Sequence, residues 1–97
     1  MKKNIKEFID NDGYKVAQKF DQITNKIIKQ THYYPGGKNI SSVHEYDPNI
    51  GKPIKDIYYQ FDGQTIINIW EYDKNTGERI KATFYRPDGT VKYIINF

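Results

Sequence analysis

The chain contains no cysteine, which excludes disulfide staples and thiolate metal sites. It also contains no leucine, although isoleucine recurs throughout. Leucine is a strong helix former, whereas isoleucine and tyrosine suit a pleated, half-buried surface. Codons rich in A and T would favour Ile, Lys, Asn and Tyr as well. No apolar run approaches the ~20 residues that cross a bilayer as a helix. The start, MKKNIKEFIDNDG, is basic but has no apolar stretch behind it, so no signal peptide is read there. Arginine occurs only as Arg79 and Arg86, and serine only as Ser41-Ser42. The net charge of +3 comes mostly from lysine. It favours solubility and a weak attraction to anionic partners, and no more. Ninety-seven residues make one small domain with a modest core.

What is present is a repeat. Ile28, Ile54 and Ile80 stand 26 residues apart, as do Lys29, Lys55 and Lys81, and Tyr33, Tyr59 and Tyr85. Asp21, Asp47 and Asp73 keep the same step. A unit copied three times is one supersecondary element stacked on its neighbours.

Each unit carries two turn signals. One is Asp62-Gly63, Asp88-Gly89 or the variant Gly36-Gly37. Between strand formers this dipeptide predicts a hairpin with a type I′ turn, in which both central residues take positive φ. The other is Tyr-Asp-x-x-x-Gly, at Tyr46 to Gly51 and Tyr72 to Gly77, with Asn25 for the glycine in the first copy. There Asp caps its own turn and Gly supplies a left-handed residue. The runs between turns predict seven strands near 14–20, 26–33, 39–46, 53–60, 64–72, 79–86 and 90–97. Short connections make them an all-β antiparallel meander over residues 14–97. Residues 1–13 are expected to form a short helix packing on the sheet, because Ile5, Phe8 and Ile9 fall at helical spacing. A strand remnant is the alternative, since Asp12-Gly13 resembles the repeat's own turn.

Pairing through both turns predicts two faces. One is apolar, with Val43, Ile54, Tyr58, Ile67, Ile69, Ile80, Ala82, Phe84, Tyr93, Ile95 and Phe97. Asp56 fits it badly and is expected near an edge or against a lysine. The other is aromatic and basic. It carries Tyr33, Tyr59 and Tyr85 in a spaced row beside Lys29, Lys55 and Lys81, together with His44, Trp70 and Tyr72. Sheet curling or a homodimer through the apolar face would supply the cover that the short helix cannot.

EYDPNIGKPIKDIYYQFDGQTI and its copy EYDKNTGERIKATFYRPDGTV resemble a tandem-repeat family of unknown function found in phytoplasma proteins. The resemblance rests on Tyr72, Asp73, Thr76, Gly77, Ile80, Lys81, Tyr85, Pro87, Asp88 and Gly89, and on their counterparts from Tyr46 to Gly63. The first copy departs more, and residues before about 15 lie outside it. Hairpin repeats of the YD and MORN-like kinds are similar. The family implies no known activity. It does imply a secreted or surface protein acting on a host partner.

Chemistry has few candidates. His32 and His44 are the side chains that titrate near neutrality, and Ser41-Ser42 lies close to His44. Both histidines replace aromatics at repeat positions, which favours packing over catalysis, so no catalytic residue is assigned. Glu45, Glu71, Asp47 and Asp73 flank turns and read as caps and cross-strand partners of lysine. Asp73-x-Asn75-x-Gly77 resembles the start of a calcium loop but lacks its closing Glu, so neither metal nor cofactor is expected. The aromatic-basic face is the binding candidate, through Tyr33, Tyr59, Tyr85, His44, Trp70, Tyr72, Lys55 and Lys81. A non-enzymatic protein-interaction module ranks first. Binding of single-stranded nucleic acid or glycan comes next, with nucleic acid disfavoured by the low charge. Self-assembly through the apolar face and the edge strands is the third reading.

Overall fold

The computed structural model describes residues 4–97. Its eight strands are β1 (Ile5–Ile9), β2 (Lys15–Phe20), β3 (Ile27–Tyr33), β4 (Ile40–Tyr46), β5 (Pro53–Tyr59), β6 (Ile66–Tyr72), β7 (Arg79–Tyr85) and β8 (Val91–Asn96). They form one sheet in the order β1 to β8, every neighbour antiparallel. The meander is as expected, but with eight strands instead of seven.

The expected N-terminal helix is a strand over its described part; residues 1–3 lie outside the described residues. Asp12-Gly13 decides this. The Gly13 N–H donates to the Asp10 carbonyl at 3.0 Å, and the Asp10 N–H donates to Tyr14 at 2.8 Å. That closes a hairpin and pairs Phe8 with Val16. A turn shared with the other copies outweighs three apolar residues whose spacing fits either period.

Two loop types alternate. At Asp21, Asp47 and Asp73 the side chain accepts two main-chain N–H groups of its own loop, as at Asp47 from Asn49 (2.8 Å) and Ile50 (3.1 Å). A left-handed residue closes each loop: Asn25 (φ 60°), Gly51 (74°) and Gly77 (77°). These bonds favour the ionised carboxylates and lower their pKa values.

The Asp-Gly turns differ from expectation. Gly63 and Gly89 have positive φ, but Asp62 and Asp88 do not. A type I′ turn needs both. The Gly63 N–H instead donates three residues back to Gln60 at 2.9 Å, and the register shifts at Tyr58/Tyr59. A glycine bulge therefore replaces the two-residue turn. Since side chains alternate with a period of two, a one-residue slip turns a strand over.

The register also shifts at His32/Tyr33, Glu45/Tyr46 and Glu71/Tyr72, and together these shifts change both faces. Tyr58 pairs with Ser42 and Asn68, and Asp56 pairs with His44 and Trp70. Relative to the expected assignment, β4 and β6 are inverted. One face, the His–Trp face, carries His32, His44, Asp56, Tyr58, Trp70, Ala82 and Phe84. The other, the Lys–Glu face, carries Lys29, Glu45, Lys55, Glu71 and Lys81 in direct cross-strand succession. Beside that charged row run Thr31, Val43, Ile57, Ile69 and Thr83. Val16, Val43 and Ala82 are the buried apolar residues among those described, and no large side chain is fully buried. A single layer has no opposing surface to enclose one.

Candidate functional site

The His–Trp face holds a hydrogen-bonded chain that crosses three strands. The Ser42 hydroxyl lies 3.0 Å from His44 Nε2. His44 Nδ1 lies 2.6 Å from Asp56 Oδ1, and the Tyr72 hydroxyl donates to Asp56 Oδ2 at 2.6 Å. Strand register creates the chain. Ser42 and His44 are two apart on β4 and point the same way, and Asp56 is the cross-strand partner of His44. Asp56, which suited no place in the expected faces, is thus satisfied by an imidazole and a phenol. The ion pair between His44 and Asp56 exists when the ring is protonated.

The chain continues toward β2. His32 lies edge-on to His44 with ring centroids 5.3 Å apart, Gln30 bonds His32 Nε2 at 2.8 Å, and Gln18 donates to Gln30 at 2.8 Å. Burial, and secondarily the charge of His44, lowers the His32 pKa, while Asp10 opposes this. Tyr72 is pushed up to about 12, first by burial and then by its bond to Asp56. Burial and the Asp56 charge also raise Tyr46 and Tyr58.

Ser42, His44 and Asp56 are connected in the order of a hydrolase relay. Such a relay also needs an accessible hydroxyl and N–H donors aimed at an oxyanion. Ser42 is 7% exposed and sits inside a strand, between His32 and Tyr58. Its main-chain groups belong to the sheet ladder. What the geometry provides is a fixed, satisfied polar spine.

Toward β8 the same face becomes aromatic. Trp70 meets Phe84 edge-on (5.8 Å) and stacks with Phe97 (6.1 Å), and Phe84 stacks on Tyr93 (4.6 Å). The Arg79 guanidinium lies over the Trp70 ring at 4.9 Å. The Trp70 N–H is taken by Asn68 at 3.1 Å. Between spine and aromatics lies a shallow pocket of about 330 Å³, lined by Asp56, Tyr58, Asn68, Trp70, Tyr72 and Arg79. Packing on neighbouring rings leaves much of this corner open: Tyr93 is 46% exposed and Phe97 60%.

The eight residues expected to form one binding surface are divided. His44, Trp70 and Tyr72 lie on the His–Trp face, while Tyr33, Tyr59, Tyr85, Lys55 and Lys81 lie behind it on the Lys–Glu face. There Lys15 covers the Tyr33 ring (4.9 Å), and the Tyr59 carbonyl accepts the Tyr34 hydroxyl (2.6 Å). Lys55 faces Glu45 and Glu71 across the strands, so the lysine row is not a basic stripe. Ser42, Asp56, Arg79, Phe84, Tyr93 and Phe97 were not singled out for the site. Asp56 gave a signal, being an acid in an otherwise apolar alternation. Among the described residues no group of three or more His, Asp or Glu could hold a metal ion.

The protein belongs to a family described as "Protein of unknown function (DUF2963)", which matches residues 8–58, 37–72 and 59–97. Three overlapping matches on one chain accord with the tandem repeat. None of the curated proteins matches. Among solved structures the fold is similar to one titled "Crystal Structure of TarM", with a TM-score of 0.60 at 17% identity. That likeness covers 98% of this chain and 20% of the other, and it concerns the fold alone.

Proposed function

We propose that this member of a family of unknown function is a non-enzymatic module that binds a protein partner through the aromatic corner of its His–Trp face. One observation carries the reading. Trp70, Phe84, Tyr93 and Phe97 are held ring against ring, yet the outer members stay open to solvent beside the exposed Arg79, whose guanidinium lies over Trp70. Pre-ordered aromatic and arginine side chains lose little entropy on binding and dominate the energetics of interfaces. The polar spine beside them on the same face ties β4, β5 and β6 together. The Lys–Glu face favours this reading over a nucleic-acid one, because its lysines alternate with glutamates.

The test is affinity capture with two folded variants, each checked by circular dichroism and melting. Arg79→Ala with Phe97→Ser alters the corner; Tyr59→Ala with Tyr85→Ala alters the opposite face. Proteins held by the parent and the second variant but lost by the first support the reading. Loss only with the second variant, or retention by both, contradicts it.

A further inference from the structure

Each hairpin repeat joins the next at an even-to-odd junction: β2·β3, β4·β5 and β6·β7. Two strands of the described chain have a single neighbour, β1 and β8, and every residue of both is exposed. β8 is the even strand of the last hairpin and β1 the odd strand of the first. We propose that β8 of one molecule pairs antiparallel with β1 of a second copy, so that the sheet runs on from molecule to molecule.

Main-chain geometry supports the match. The Phe97 N–H donates to Ile80 on β7 at 3.2 Å, and the Phe20 N–H donates to Asn4, just before β1, at 2.7 Å. Main-chain groups alternate sides along an antiparallel strand. The free groups of β8 are therefore those of Ile94 and Asn96, and those of β1 belong to Ile5 and Glu7. Transferring the register of the Glu71↔Lys81 junction aligns Asn96 with Ile5 and Ile94 with Glu7. All four then present free donors and acceptors toward their partners. Faces match too: Tyr93 would stand opposite Phe8 on the His–Trp face and extend the Phe84–Tyr93 stack.

The composition of β8 points the same way, whereas β1 carries Lys6 and Glu7. Protected edges carry charges, prolines or bulges. β8 has one charged residue, Lys92, among Val91, Tyr93, Ile94 and Ile95. Pairing β8 with β1 is heterologous and open-ended, whereas β8 with β8 would close a symmetric dimer.

Two blocking variants separate these cases. Ile94→Pro removes an outward N–H of β8 and Glu7→Pro one of β1, and each leaves the inner ladder intact. Sedimentation velocity on the parent is expected to show mass rising with concentration, and each variant alone to remain monomeric. An equimolar mixture of the two should double in mass and grow no further, because one free β8 meets one free β1. A monomeric parent at every concentration overturns the proposal, as does a Glu7→Pro chain that dimerises alone. Hydrogen exchange on the parent gives a second readout that needs no substitution. The amides of Ile5, Glu7, Ile94 and Asn96 should gain protection together as concentration rises; unchanged exchange overturns the proposal.

Discussion

Nδ1 of His44 and Oδ1 of Asp56 lie 2.6 Å apart across the β4·β5 pairing, and Tyr72 holds the second oxygen of the same carboxylate. One acid thus ties three strands of a layer that has almost no enclosed core. Removing it leaves an imidazole N–H and a phenol without partners. Asp56→Ala is expected to lower unfolding stability by ~1–3 kcal/mol, and Tyr72→Phe by ~0.5–1.5 kcal/mol. Urea denaturation measures both. A double-mutant cycle with His44→Ala should give a coupling clearly different from zero.

The pH response has two acidic windows. The folded-state pKa of His32 is lowered from 6.5. Its stabilising contribution is therefore complete above that value and is lost as pH falls through the folded pKa. Melting temperature should fall as pH drops below 6.5, and His32→Gln should flatten that slope. The loop carboxylates Asp21, Asp47 and Asp73, lowered from 3.8, act further down. Their contribution is present above that pH and is lost as the acids protonate below it.

Gly63 and Gly89 occupy equivalent bulges with φ of 72° and 89°. A Cβ on Gly89 meets open space, but one on Gly63 would lie 2.9 Å from the Ile40 main-chain nitrogen. Gly89→Ala should cost about 1 kcal/mol for the backbone alone. Gly63→Ala should cost about 1–3 kcal/mol more, because main chain must move. Chemical denaturation of the two variants compares them.

Lys55 stands between Glu45 and Glu71. Lys55→Glu places three acids in a row and should cost about 1 kcal/mol at low salt. Added salt should recover part of the loss. Thermal melts across a salt series check the prediction.

The repeat step, the loop glycines, the aspartate caps and most strand bounds were legible in the sequence because each is a local signal. The sides of β4 and β6 were not. They depend on one-residue register shifts, at His32/Tyr33 and Glu45/Tyr46 for β4 and at Tyr58/Tyr59 and Glu71/Tyr72 for β6, and the turn residues look the same with or without them. The shifts on either side of β6 separated Tyr59 and Tyr85 from Trp70 and Tyr72. The shift at Glu45/Tyr46 also hid the partnership of His44 with Asp56, residues twelve apart that meet only when that bulge is counted. The strand β1 was legible only as the alternative to a helix, because Ile5, Phe8 and Ile9 fit a helical face as well as an edge.

The division of the two faces is tested most directly by proton–proton nuclear Overhauser contacts of the Trp70 indole in solution. Contacts to Phe84 and Phe97, with none to Tyr59 or Tyr85, are expected from ring separations of 5.8 and 6.1 Å. Indole contacts to Tyr59 or Tyr85 would contradict the register, and with it the corner on which the binding surface is built.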